Sequence, residues 1–169
     1  MPEITILGWT HTIVAIIALI SGFYTLAKYK VISTETNSGK IYLIGTLYVA
    51  ATALMIYQRG SFGIAHALAV LTLLALLAGF ISEKTNILGK FSRYMQALGY
   101  SGTLLFHMVP AITDALLRLP VGDPVLTDIE DPILKGFYLT FLVLFLILVI
   151  FQFRWLAKQS KPAEGLAQS

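Results

Sequence analysis

Long apolar stretches alternate along the chain with short polar breaks. Five stretches, at residues 6–27, 41–57, 62–81, 94–117 and 133–155, approach or exceed the roughly 18–20 residues that cross about 30 Å of hydrocarbon. The breaks have turn chemistry: residues 30–39 are polar and end in Asn37-Ser38-Gly39, and Arg59-Gly60-Ser61 reads as a tight reversal. Residues 119–132 carry Pro120, Gly122, Pro124 and Pro132, which a continuous helix does not accommodate. The pattern predicts an all-α integral membrane protein with five transmembrane helices.

The stretches differ in kind. The fifth, from Phe137 to Phe153, is Leu, Phe, Ile and Val almost all round, with Tyr138, Thr140 and Gln152 as its polar relief, as suits a helix against lipid. The first four carry Gly, Ala, Ser, Thr and Tyr, which let helices approach and hydrogen-bond. The expected organisation is a four-helix transmembrane core over 1–117 and an acidic, Pro-rich outer loop over 118–132. A peripheral fifth transmembrane helix over 133–156 and a cytoplasmic tail over 157–169 complete it. Lys and Arg set the orientation. Lys28, Lys30, Lys40, Lys84, Lys90, Arg93, Arg154, Lys158 and Lys161 fall on one side, against Arg59, Arg118 and Lys135 on the other. The positive-inside rule then places the N-terminus outside and the C-terminus in the cytoplasm.

Composition narrows the function classes. At 57% hydrophobic and 12% charged residues, a soluble domain is excluded. The basic residues flank apolar spans rather than forming a patch, so they report topology and not a nucleic-acid partner. The chain has no cysteine, which removes disulfides, thiolate metal sites and iron–sulfur clusters and leaves His, carboxylate, Tyr and Met as ligands. Met1-Pro2-Glu3 supplies no basic n-region, so the first stretch is expected to stay as a membrane helix.

The three histidines, His11, His66 and His107, lie in three different spans, all in the outer half. Ionisable groups in hydrocarbon are costly and mark functional sites. On the fourth span Gln96, Tyr100, Thr103, His107 and Asp114 recur on one helical face, a polar stripe that must face other helices or water. Pro110, one turn beyond His107, removes the bond to the Phe106 carbonyl and predicts a kink. On the first span Gly8, Ala15, Ala18 and Gly22 share the side of His11, so that side is packed. By helical rise His11 and His66 lie about 7 Å below the outer ends of their spans, His107 about 15 Å and Asp114 about 5 Å. The first two can therefore share a ligand with His107 or with Asp114, but not readily with both.

The residues around His11 and Gly22, Gly39-Lys-Ile-Tyr-Leu-Ile-Gly, and Phe62-Gly-Ile-Ala-His-Ala-Leu-Ala-Val-Leu-Thr-Leu carry a resemblance. Over roughly spans one to four the chain resembles a family of small bacterial membrane proteins, the domain of unknown function numbered 2306. Members commonly carry a histidine in the first span and another opening the third, which His11 and His66 match. They also commonly carry histidines at the cytoplasmic starts of spans two and four, where this chain has Ser38-Gly39-Lys40 and Ser92-Arg93-Tyr94-Met95. The resemblance implies the fold, a multi-pass place in the bacterial inner membrane and the position of a site, without naming a reaction.

The first expectation is an outer-leaflet pocket of His11, His66 and His107, with Asp114 at its mouth. It would bind a transition metal (zinc, copper or iron) or a b-type haem for redox chemistry or metal handling. The second is a cofactor-free transporter or proton-relay component using the same residues. The third is a non-catalytic accessory subunit, with histidines bonded across helix interfaces. Expected partners are the lipid bilayer and a second copy or membrane partner docked on the fifth helix. No HExxH, CxxC or Walker pattern specifies a reaction.

Overall fold

A computed structural model describes residues 5–56 and 62–160. It is all-α, with five helices: α1 (Ile6–Tyr29), α2 (Asn37–Ala53), α3 (Ile64–Thr85), α4 (Ser92–Arg118) and α5 (Pro132–Gln159). Among the described residues there is no strand. The reversal read at Arg59-Gly60-Ser61, Met1-Pro2-Glu3 and the tail beyond 160 lie outside the described residues. α1, α3 and α5 are each long and apolar enough to cross a membrane. α2 is shorter, at 17 residues, and α4 carries the polar stripe.

Local chemistry sets the helix ends. Thr5 caps α1 by accepting the Gly8 N–H, and Thr36 caps α2 by accepting that of Gly39. The Thr36 cap starts α2 four residues before the apolar pattern does, taking Asn37 to Lys40 into the helix. Asp131 accepts the Ile133 N–H, with Pro132 at the first helical position of α5. α4 continues through Pro110 to Arg118. Beyond it the loop over 119–131 folds back, the Leu126 N–H donating to the Leu116 carbonyl.

The strongest packing joins α1 to α2 and α3 to α4; α2 also packs on α3, and α5 lies along α4. Small residues allow it. A Cβ on Gly22 would stand 2.7 Å from the Tyr42 ring, and one on Gly99 would stand 2.8 Å from the Ala75 carbonyl oxygen. The second contact is with backbone, which cannot swing aside. Gly99→Ala should therefore destabilise the protein by about 1–3 kcal/mol. Gly136, with nothing within 4 Å of its Cβ position, serves as control. Thermal midpoints in detergent should fall for Gly99→Ala and stay at the wild-type value for Gly136→Ala.

One end of the bundle is closed by the α1–α2 loop. Ile32 is fully buried and joins Ala18, Tyr42, Leu43, Leu76, Tyr100 and Leu104 in the core. The loop backbone is satisfied by side chains from three helices. Gln152 of α5 donates to the Lys30 carbonyl (2.9 Å), Gln96 of α4 donates to the Ile32 carbonyl (3.0 Å), and Glu83 of α3 accepts the Thr34 N–H (2.8 Å). Buried backbone groups need partners, so these bonds let an irregular segment enter an apolar core. Gln152 is fully buried and also accepts the Ser101 hydroxyl at 3.0 Å. The sequence pattern marks it only as polar relief on a lipid-facing helix; in the fold it is the clamp that seats α5.

Candidate functional site

At the opposite end, α1 and α2 are joined by two side-chain bonds. The Tyr48 hydroxyl donates to Thr10 Oγ1 (3.0 Å), and His11 Nδ1 lies 2.9 Å from Thr52 Oγ1. The protonation of His11 follows from its partner. Thr52 has one hydroxyl proton, and its oxygen lies 2.9 Å from the Tyr48 carbonyl and 3.1 Å from that of Val49, so the proton goes to the helix backbone. With the Thr52 proton so placed, the imidazole of His11 donates the contact from Nδ1. Nδ1 carries the hydrogen and Nε2 holds the lone pair.

His107 reaches the same state by a different route. Its Nδ1 lies 2.9 Å from the Thr103 carbonyl one turn back, and a carbonyl only accepts. His107 thus donates from Nδ1 and keeps its lone pair on Nε2. The Pro110 pattern points to the Phe106 carbonyl as the neighbouring acceptor; the histidine instead takes the i−4 carbonyl on its own face. The residue is 7% exposed, and its ring centroid is 6.4 Å from that of Tyr42.

His66 is in the opposite state. It is the third residue of α3, where its Nδ1 accepts the Gly63 N–H at 3.2 Å, while its ring stacks on Phe62 with centroids 5.1 Å apart. An Nδ1 that accepts leaves the hydrogen on Nε2. This histidine completes the helix start, as a Glu or Gln at that position does in a capping box.

Electrostatics group the remaining residues. His11 lies within charge reach of both His107 and Asp114. Asp114 is 59% exposed and 3.4 Å from Arg118 one turn on. Among the described residues no three His, Cys, Asp or Glu side chains converge closely enough to hold a metal ion.

The α4 stripe continues toward the closed end. Thr103 Oγ1 is hydrogen-bonded to the Tyr42 hydroxyl, and Thr103 also reaches the Tyr100 carbonyl at 2.7 Å. The Tyr100 hydroxyl donates to Glu83 Oε2 at 2.9 Å, and Glu83 Oε1 accepts the Ser33 hydroxyl at 2.6 Å. Glu83 is the group sequence reasoning missed. The available signal was an acid beside Lys84 at the end of an apolar span. A column of polar groups thus runs from Asp114 through His11, His107, Thr103 and Tyr42 to Tyr100 and Glu83. It is not one wire. Between the two tyrosine hydroxyls stands the Tyr100 carbonyl, 3.5 Å from the Tyr42 oxygen, which has no proton to pass on.

Comparison of the chain with protein-family models, curated proteins and solved structures finds no match.

Proposed function

We propose that the protein is a five-span bacterial inner-membrane protein of the family numbered 2306, with its N-terminus outside, acting as the proton-handling component of a transport process. Its four-helix core takes protons from the outer side through Asp114 onto His11 and His107. The observation that carries this reading is the pair of imidazoles on α1 and α4, each bonded through Nδ1 and each keeping its lone pair on Nε2. A proton on one ring repels a second on the other, so the pair exchanges one proton more readily than it holds two. The Tyr100 carbonyl and the inserted α1–α2 loop interrupt the polar column beyond Thr103, which supports a site loaded from one side only.

Proton-transfer currents on a solid-supported membrane, triggered by an outer pH jump, test it. Wild type should give a transient that His11→Ala and His107→Ala each reduce by about a hundredfold. His66→Gln, which keeps an acceptor at the start of α3, should leave it intact. A wild-type transient in the His11→Ala/His107→Ala double variant refutes the reading.

The same Nδ1–H bonds favour a second reading, because metal-binding histidines are commonly fixed by such a donation. His11 and His107 would then hold a b-type haem, or contribute to a zinc, copper or iron site, through Nε2, and the bound group would supply redox or metal-handling chemistry. A Soret band or stoichiometric metal in purified protein, lost in both His→Ala variants, would favour this reading over proton handling.

A further inference from the structure

Away from the histidines, a groove follows the α1–α2 seam on the Lys28 side. Its upper part is an open surface recess of about 610 Å³ lined by Tyr24, Tyr29, Glu35, Thr36, Asn37 and Ser38. Its lower part, about 350 Å³, is lined by Ile17, Ile20 and Ser21, and the two parts share Tyr24 and Ile41. From Lys28 to Ile17 the α1 axis spans about 16 Å. The groove therefore runs from the polar boundary of the apolar helix well into its hydrocarbon length.

The upper part carries positive charge in a fixed place. The Lys28 ammonium lies 5.6 Å and 5.3 Å from the ring centroids of Tyr24 and Tyr29, and donates to the Tyr24 hydroxyl at 3.2 Å. Both tyrosines line the recess, so they hold the charge at its rim with further N–H donors to offer. The one lining carboxylate, Glu35, is engaged by Lys84 at 2.9 Å, which holds its carboxyl below the usual carboxylate range. Lys30, at the C-cap of α1, and Lys40, in the first turn of α2, are the neighbouring cations.

We infer that this groove is a binding site for an anionic glycerophospholipid of the adjoining leaflet, with its phosphate at Lys28 and an acyl chain along Ile17, Ile20 and Ile41. Polar lining at headgroup depth, apolar lining below it and net positive charge at the junction match one amphipathic anion. The inference rests on α1 lying in a bilayer and is independent of the histidine chemistry.

Native mass spectrometry and thermal shift of the full chain, titrated with phosphatidylglycerol, phosphatidylcholine and soluble glycerol phosphate, test it. Phosphatidylglycerol should bind and stabilise in preference to phosphatidylcholine, and glycerol phosphate should do neither. Lys28→Gln, at a fully exposed position, should weaken phosphatidylglycerol about fivefold. Ile20→Trp, which fills the lower part from an exposed position, should abolish the preference. Equal binding of the two lipids, stabilisation by glycerol phosphate alone, or an unchanged preference in both variants overturns the assignment.

Discussion

Glu83→Ala should be the most destabilising single polar substitution in the chain, by about 3–5 kcal/mol. Its carboxylate receives three hydrogen bonds, from the Ser33 hydroxyl, the Thr34 N–H and the Tyr100 hydroxyl. Bonds to a charged acceptor are about twice as strong as neutral ones, and removing the acceptor strands all three donors. The loss reaches further than α3, because Thr34 belongs to the loop that closes the bundle and Tyr100 to the core. Glu83→Gln keeps one acceptor oxygen and should recover roughly half of the loss. Thermal and denaturant midpoints in detergent check both variants; an Ala midpoint equal to wild type would show that the loop is held by Ile32 burial alone.

Gln152→Leu should cost about 2–4 kcal/mol, although it makes α5 more apolar. A better membrane helix is a worse fit here. The change leaves the buried Ser101 hydroxyl and the Lys30 carbonyl without the partners that Gln152 gives them, at a position with no exposure. Each such group costs on the order of 1–3 kcal/mol when stranded. Membrane insertion should be unchanged, so a lowered thermal midpoint with normal insertion reports the clamp. A stability equal to wild type would mean that α5 is held to α4 by apolar contact alone.

How much of this could be read in advance depended on periodicity. The α4 stripe was legible because Gln96, Tyr100, Thr103 and His107 recur at helical spacing, and each of them meets a polar partner in the fold. The inward face of α1 was legible from small residues, and Ala18 and Gly22 are buried there. Gln152 and Glu83 were not. Each is one polar side chain in or beside an apolar run, and its meaning lies in a backbone carbonyl or N–H that loop residues present across the bundle. Pattern also grouped the three histidines, whereas hydrogen bonding separates them. His66 faces an N–H donor at the start of its helix, and His11 and His107 face oxygens that accept. Sequence spacing carries no record of which nitrogen meets a donor.

That separation is the centre of the account, and nitrogen-15 NMR of histidine-labelled protein in bilayers measures it directly. At neutral pH two rings should be protonated at Nδ1 and one at Nε2. His66→Gln should remove the Nε2–H signal, and His11→Ala and His107→Ala should each remove one Nδ1–H signal. Three rings all protonated at Nε2, or an Nδ1–H signal lost in His66→Gln, would contradict it.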